Sequence, residues 1–135
     1  MRGHKYWGVQ TMRKLIYICS PYRGDIAGNT KLARDLCRRA IEHGYTPLAP
    51  HLLYPQFLDE ADPAQRSAGL RCGLDWLQVC DEVWVYAPGD GEYSEGMRWE
   101  IFHAECLNKP VVHISFAWMR PEQPIGGGEN DKIID

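Results

Sequence analysis

The chain lacks the features that mark several specialised classes of protein. Its 135 residues contain no apolar run long enough to span a membrane and no hydrophobic segment typical of a secretory signal. Basic residues are not in excess, because the formal net charge at pH 7 is −3. Neither a membrane nor duplex nucleic acid is therefore expected as a partner, although a few local groups could bind a small anion.

Cysteine patterns typical of zinc sites are also absent. The five cysteines form no C-x-x-C pair, and no histidines accompany them at zinc-ligand spacing. Most of them lie in apolar stripes, which is typical of buried thiols. An odd number of such thiols favours a reducing compartment, so we expect a soluble cytoplasmic protein.

What is present fits one compact domain. Hydrophobic residues make up 44% of the chain and charged residues 24%, enough apolar side chains for a real core. We place the domain at residues 14–115. Residues 1–13 lack periodicity and are interpreted as an N-terminal extension. Residues 116–135, with three consecutive glycines, have the composition of a mobile tail.

Strand and helix patterns alternate along the domain. Predicted strands cover residues 15–19, 46–49, 82–87 and 111–115, and predicted helices follow the first three of them. The first helix should begin at a cap on Asn29 and end at Gly44, and the others should cover about 64–80 and 94–108. This order predicts an α/β fold, Rossmann-like (flavodoxin-like), with a parallel sheet in the order 2-1-3-4 and helices on both faces.

The third helix begins with a segment that could hold an anion. Ser94 can cap it, leaving the amides of Glu95, Gly96 and Met97 free for a group such as phosphate. Glycines at 89, 91 and 96 suit a loop that bends over a ligand. An ordinary cap is the alternative, and no P-loop sequence is present.

Glu100 lies in the same helix, beyond the carboxyl end of the third strand. Met97, Ile101, Ala104 and Leu107 form the stripe expected to face the sheet, and Glu100 lies on its flank. An acid at this edge of a parallel sheet is placed where such folds bind ligands. It is either a solvated flank charge or a functional group.

The loop after the first strand should face the same crevice. Ser20 opens it, Tyr22 can stack on a planar base, Arg23 can pair with an anion, and Gly24 permits close approach of the backbone. Loops often hold such residues for solvation alone, so each is weak evidence by itself.

Further polar residues are ambiguous from sequence. Asp75 and Asp81 precede the third strand, and spacing does not fix a role for either. His51 and His113 could carry protons, but a histidine on a loop or strand is more often packed or solvated.

Two helices carry a second apolar stripe opposite the one that faces the sheet. Something besides the sheet must cover these stripes, and an identical subunit is the simplest cover. We therefore predict a homodimer or higher homo-oligomer. The stripes comprise Trp99, Phe102 and Cys106 on one helix and Cys72, Trp76 and Val79 on the other.

Three motifs together resemble the nucleoside 2-deoxyribosyltransferase-like superfamily. They are Ile18-Cys19-Ser20-Pro21-Tyr22-Arg23-Gly24, the segment from Asp75 to Val83, and Ser94-x-Gly96-Met97-x-x-Glu100. The likeness spans about residues 14–115. It looks closest to a branch of small proteins from prokaryotes and their viruses, and more distant from the 2'-deoxynucleoside 5'-monophosphate N-glycosidases.

The resemblance implies roles for several residues. Glu100 matches the nucleophile that attacks the anomeric carbon and forms a covalent glycosyl-enzyme, and Ser94 matches the serine that contacts a 5'-phosphate. Ser20, Tyr22, Arg23, Gly24, Gly96 and Met97 would then line the substrate site. The implied substrate is a nucleotide, or else a nucleoside, and no metal or organic cofactor is needed.

The chain differs from the glycosidases at the position of the residue that serves acid catalysis in those enzymes. Those enzymes carry an aspartate three residues before the tryptophan of the second helix, where this chain has Gly73. Asp75 is the remaining catalytic candidate, but a shift of two residues turns a side chain by roughly 200° around a helix. Two alternatives stay open: a non-catalytic nucleotide-binding or sensing module, and a flavodoxin-like carrier or regulatory domain.

Overall fold

A computed structural model describes residues 13–89 and 92–119. Apart from Arg13, the predicted extension lies outside the described residues, as do Gly91 and the predicted tail from residue 120 onwards. The sheet has four parallel strands in the order β2-β1-β3-β4, which confirms the predicted fold class and strand order. The strands are β1 (Leu15–Cys19), β2 (Thr46–Leu48), β3 (Glu82–Val85) and β4 (Val111–His113).

Helices cover both faces of this sheet. Two short 3-10 helices, Pro50–Leu52 and Tyr54–Gln56, lie between β2 and the next α-helix. The α-helices are α1 (Ile26–Glu42), α2 (Pro63–Val79), α3 (Glu95–Cys106) and α4 (Phe116–Met119). None of the helices in the described part of the chain is long and apolar enough to cross a bilayer.

Alternation along β1 divides the core into two clusters. Ile16 and Ile18 face α1 and α4, where they pack with Leu36, Trp84 and Trp118. We call this side the first face. Tyr17 and Cys19 point the opposite way, to a second face covered by α2 and α3, where they pack with Leu77, Val83, Val85 and Met97.

The first helix begins earlier than the sequence predicted. Asp25, not Asn29, is its cap, and the Asp25 side chain accepts a hydrogen bond from the Gly28 amide. Both residue types cap helices well, so composition did not separate them. Asn29 lies inside the first turn and its side-chain amide donates to the carbonyls of Tyr22 and Arg23. It therefore ties the loop after β1 to α1.

The chain still contributes a side chain to the core past residue 115. Trp118 of α4 is only 1% exposed, and it packs edge-on against Trp84. The buried guanidinium of Arg39 donates to the Trp118 carbonyl from both Nε and Nη2, at 3.1 and 2.8 Å. Because these contacts tie α1 to α4, residues 116–119 extend the first face.

The outer sides of α2 and α3 are apolar and open. Phe102 is 59% exposed, Val79 56% and Trp76 39%. Leu107 was expected to face the sheet but is exposed, because α3 ends at Cys106 and Leu107 is its C-terminal cap.

Candidate active site

Most of the predicted site residues line one cavity of about 210 Å³. It opens beyond the carboxyl end of β1, where parallel sheets bind ligands. Its walls come from the loop after β1, the segment of 3-10 helices, the first half of α2 and the first turns of α3. The predicted residues found in the lining are Ser20, Tyr22, Arg23, Ser94, Gly96, Met97 and Glu100.

Two predicted residues are not part of this lining. Asp75 lies on an exposed side of α2 and does not contribute to the cavity wall. Gly24 is exposed in the loop after β1, with φ of +94°, a backbone conformation that favours glycine. Gly24 thus shapes the loop that carries Tyr22 and Arg23.

Glu100 is held by two donors from the strand beneath it. The Tyr17 hydroxyl donates to Glu100 Oε2. The Cys19 thiol lies 3.3 Å from Glu100 Oε1. Each carboxylate oxygen therefore has its own donor, and the carboxylate is fixed at the cavity wall between β1 and α3.

The surroundings make Glu100 an unusually weak acid. Burial raises the pKa of Glu100 to about 7, while the hydrogen bonds from Tyr17 and Cys19 lower it. Burial also raises the pKa of Tyr17 and of Cys19 well above their usual values, and the Glu100 charge adds to both shifts. The hydroxyl and the thiol thus keep their protons and act as donors. Perturbed carboxyl groups of this kind cluster at functional sites.

Gly73 leaves room for the Tyr17 hydroxyl. A Cβ atom placed on Gly73 would lie 3.2 Å from Tyr17 Oη, tighter than ordinary van der Waals contact. Gly73 is also part of the cavity lining. The residue at this position is therefore coupled by packing to the donor that holds Glu100.

The beginning of α3 offers backbone donors at the same cavity. Ser94 is the N-cap, as predicted, and its hydroxyl accepts a hydrogen bond from the Met97 amide at 3.2 Å. The preceding amides, of Glu95 and Gly96, belong to the first turn and have no intrahelical acceptor. They are placed to bind an anion at the positive end of the helix dipole.

Aromatic and imidazole rings form another part of the lining. His51 Nε2 lies 3.1 Å from the hydroxyl of the buried Ser20, and the His51 ring packs edge-on against Tyr22. Burial lowers the pKa of His51 to about 4, so its ring is neutral near pH 7. His113 does not line the cavity and instead pairs with the Tyr93 hydroxyl at 2.6 Å.

Four charged side chains complete the lining besides Glu100. Arg23 lies in the loop after β1, and Glu95 lies at the start of α3. Arg66 lies in the first turn of α2, and Glu60 lies shortly before that helix. Arg66 Nε and Glu60 Oε1 are 4.0 Å apart and both side chains remain partly exposed. Within the described residues, no three His, Cys, Asp or Glu side chains are grouped closely enough to hold a metal ion.

Tyr17, Cys19 and Gly73 are the site residues that sequence reasoning missed as a group. The sequence placed Tyr17 and Cys19 in the first strand without a role. Gly73 was noted only as the position where the resembling glycosidases carry an aspartate. A usable signal did exist, because residues 17 and 19 share one face of β1, and α3 with Glu100 follows the neighbouring strand β3. Nothing in the sequence indicated which oxygen of Glu100 each donor would contact.

Comparison with known proteins identifies the fold. A 2-deoxyribosyltransferase from Bacillus psychrosaccharolyticus superposes with a TM-score of 0.59 at 20% identity, over 75% of this chain and 72% of that one. A 2-deoxyribosyltransferase from Leishmania mexicana superposes with a TM-score of 0.56 at 19% identity, over 76% of this chain and 64% of that one. The predicted resemblance is thereby confirmed at the level of fold.

Three further comparisons were informative. A CMP N-glycosidase from Clostridium botulinum gives a TM-score of 0.48 at 20% identity, covering 75% of this chain and 68% of that one. No curated protein sequence matches the chain. A family model described as a domain of unknown function, DUF7768, matches residues 14–114. Since that match covers most of the sequence, the chain belongs to the DUF7768 family, and it shares its fold with 2-deoxyribosyltransferases.

Proposed function

We propose that the protein cleaves or transfers the N-glycosidic bond of a nucleoside 5'-monophosphate, with Glu100 as the nucleophile. The observation that carries the proposal is the carboxylate of Glu100, with one oxygen bonded to Tyr17 and the other to Cys19 at the wall of a cavity. A carboxylate that only balanced surface charge would not need to be partly buried and held by two donors.

The proposed reaction proceeds in two displacements. A carboxylate oxygen of Glu100 bonds to the anomeric carbon, and the bond from that carbon to the base nitrogen breaks, leaving its electron pair with the base. Water or a second base then displaces Glu100 and restores the carboxylate. Because both steps invert, the configuration of the sugar is retained overall.

Phosphate recognition is proposed for the start of α3. The Glu95 and Gly96 amides and the Ser94 hydroxyl can donate to phosphate oxygens, and the side chain of Arg23 can add a positive charge. The Glu95 carboxylate opposes this attraction, so the backbone donors must contribute most of it. Phosphate at this end leaves the sugar beside Glu100.

The base is proposed to lie against the rings of Tyr22 and His51. Aromatic rings stack on any nucleobase, and the neutral His51 can form hydrogen bonds with a base edge. No carboxylate stands at position 73, and His51, with a pKa of about 4, carries almost no extra proton to donate at pH 7. Protonation of the departing base is therefore the weakest step of the proposed reaction.

That weakness supports a second candidate, a nucleotide-binding or sensing module without turnover. Its specific support is Gly73, where the resembling glycosidases carry an aspartate, together with a nucleophile that is only partly ionised at pH 7. In this alternative the same cavity binds the nucleotide and releases it unchanged.

One experiment separates the two candidates. The purified protein is incubated with a panel of ribo- and deoxyribonucleoside 5'-monophosphates at pH 8, and free base is measured by chromatography. We expect release from at least one nucleotide, and a loss of at least about 10³-fold in Glu100→Gln. Glu105→Gln, an exposed acid on the same helix, is the matched control and should keep its activity.

Each outcome of that panel has a distinct meaning. Binding by calorimetry without base release would favour the sensing module. Release that survives in Glu100→Gln would remove Glu100 from the mechanism.

We also propose that the exposed apolar sides of α2 and α3 join two copies of the chain. Phe102, Val79 and Trp76 lie on this surface, and large apolar patches of this kind commonly mark interfaces. Light scattering should give a mass of two or more chains, and Phe102→Glu should reduce that mass. The five free thiols support a reducing compartment such as the cytoplasm as the place of action.

A further inference from the structure

The Cys19 thiol has two acceptors and one proton. Its sulfur lies 3.3 Å from Glu100 Oε1 and 3.8 Å from the Met97 carbonyl oxygen. A thiol can donate only one hydrogen bond at a time, and the shorter distance favours Glu100. Met97 belongs to α3, one turn before Glu100, so both acceptors lie on the same helix above the same sulfur.

We propose that Cys19 is a positioning residue that holds the attacking oxygen of Glu100, Oε1, and transfers its hydrogen bond to the Met97 carbonyl when that oxygen bonds to the sugar. The role in attack rests on the proposed function, whereas the contact with Glu100 does not. Cys19 acts through Glu100 and need not touch the substrate.

The two donors differ in strength, and this difference selects the oxygen. A phenol hydroxyl is a strong donor, and it holds Oε2 throughout. A thiol is a weak donor, so it orients Oε1 without withdrawing much of its electron density. The oxygen with the weaker partner is therefore the better nucleophile, and it is the one facing Cys19.

The second acceptor keeps the thiol bonded when Oε1 reacts. As Oε1 shares an electron pair with the anomeric carbon, the bond to the base nitrogen breaks and the negative charge leaves with the base. Oε1 becomes an ester oxygen, which is a much poorer acceptor than a carboxylate. The thiol proton can then turn to the Met97 carbonyl, and it returns when water breaks the ester and regenerates the carboxylate.

Other charged or titratable groups share the cavity with this carboxylate. Tyr17 and Cys19 approach it from β1, and the α2 side presents the uncharged Gly73. His51, Arg23, Arg66, Glu60 and Glu95 share the cavity but are not among the causes of the raised pKa of Glu100. A change in that pKa on substitution of Cys19 therefore reports the thiol contact.

The test measures the pKa of Glu100 directly, without any need for turnover. Glutamate labelled with ¹³C at Cδ is incorporated, the Glu100 resonance is assigned from its loss in Glu100→Gln, and its shift is followed with pH. Cys19→Ala should raise the pKa of Glu100 by roughly half a unit to one unit, because a donor to the charged form is lost. Cys19→Ser keeps a donor, so its pKa should equal the wild-type value or lie below it.

Cys80 provides the matched control. It is a buried thiol in the same apolar cluster, but it is not among the groups that shift the pKa of Glu100. Cys80→Ala should leave the pKa of Glu100 unchanged. An equal rise in Cys80→Ala and Cys19→Ala, or no rise in Cys19→Ala, would overturn the proposal.

Kinetics separate positioning from simple packing, provided that the panel above finds a substrate. At a pH well above the pKa of Glu100, Cys19→Ala should lower kcat a few fold, because Oε1 loses the donor that orients it. Cys19→Ser should lower kcat by roughly tenfold with little change in KM, since a stronger donor holds the attacking oxygen. Equal losses in both variants would assign Cys19 a packing role only.

Failure of the proposal and failure of the proposed function give different results. If no nucleotide is cleaved but Cys19→Ala raises the pKa of Glu100, the contact holds and the enzymatic role is wrong. If the Cys19 variants do not fold, the S–H stretching band in the infrared spectrum of the wild-type protein tests the contact between Cys19 and Glu100. That band should shift as Glu100 ionises, and a band insensitive to pH and to Glu100→Gln would overturn the contact.

Discussion

The two faces of the sheet use alternate residues of the same strand and treat buried polar groups differently. On the first face, the guanidinium of Arg39 donates two hydrogen bonds to the Trp118 carbonyl, and the Glu82 carboxylate accepts one from the Trp84 indole at 2.9 Å. On the second face, Tyr17 and Cys19 converge on Glu100, whose carboxylate borders a cavity.

That difference distinguishes polar groups that stabilise the fold from polar groups that can contact a ligand. A buried polar group whose partners belong to the packed core can only hold the fold together. A partly buried acid that borders a cavity keeps its donors and can still meet a ligand. The polar groups of the first face are therefore expected to affect stability alone, and those of the second face to affect both stability and chemistry.

Replacing one buried leucine on each face should give the largest effects and tests whether the two faces differ. Leu36 of the first face and Leu77 of the second are both fully buried, so each change to alanine should cost about 2–5 kcal/mol of stability in urea unfolding. Because only Leu77 packs in the cluster of Tyr17 and Met97, only Leu77→Ala should also move the pKa of Glu100. A shift of equal size in Leu36→Ala would show that the faces are not independent.

Stability should depend on pH through the second face. The pKa of Glu100 is about 7 in the folded chain, against a usual 4.5. Between these values the folded state holds a proton that the unfolded state has released. The wild type should therefore lose up to about 3 kcal/mol, relative to Glu100→Gln, as pH rises from 4.5 through 7.

Urea unfolding of both proteins at several pH values measures this difference. Glu105→Gln, which removes an exposed acid of the same helix, should show no such divergence from the wild type. A wild-type curve parallel to that of Glu100→Gln would mean that Glu100 titrates normally.

Tyrosines on the two faces offer a smaller test. Tyr17→Phe removes a hydrogen bond to a charged group, which contributes about 1.5–3 kcal/mol. The pKa of Glu100 should rise, and kcat/KM at pH 7 should fall about 10- to 100-fold, less so at high pH. Tyr86→Phe, a buried change on the first face, should leave both the rate and its pH profile intact.

Two glycines of α2 give the smallest effect. Gly69→Ala should stabilise the helix by about 0.5–1 kcal/mol, because its Cβ would meet Leu58 Cδ1 at an ordinary 3.4 Å. Gly73→Ala should gain less or lose stability, since its Cβ would press on the Tyr17 hydroxyl at 3.2 Å. Thermal unfolding compares them, and equal gains would show that the Tyr17 hydroxyl moves away freely.

Periodicity was sufficient to predict the architecture. Apolar runs between turn residues located β1 within its observed bounds, and the βα order with right-handed crossovers gave the strand order. Ser94 was identified as a cap because serine precedes a helical pattern there. Such local signals depend on chain chemistry and short-range geometry alone.

Local sequence patterns could not predict the contacts that depend on tertiary packing. Trp118 was assigned to a tail, because nothing near it in sequence shows that Trp84 and Arg39 receive it. Asn29 and Asp25 are equally good caps, and the loop geometry decided between them. The raised pKa of Glu100 follows from burial, and the hydrogen bonds that partly offset it come from Tyr17 and Cys19, more than 80 residues away in sequence.

The most direct test of the central claim is whether Glu100 becomes covalently attached to the sugar. A 2'-deoxynucleoside 5'-monophosphate that loses its base is mixed with the protein, quenched in acid during turnover, and the digest is examined by mass spectrometry. The account predicts that the peptide carrying Glu100 gains the mass of one deoxyribose phosphate, and that Glu100→Gln gains none. Turnover with that peptide unmodified at every quench time, or an adduct on another residue, would contradict it.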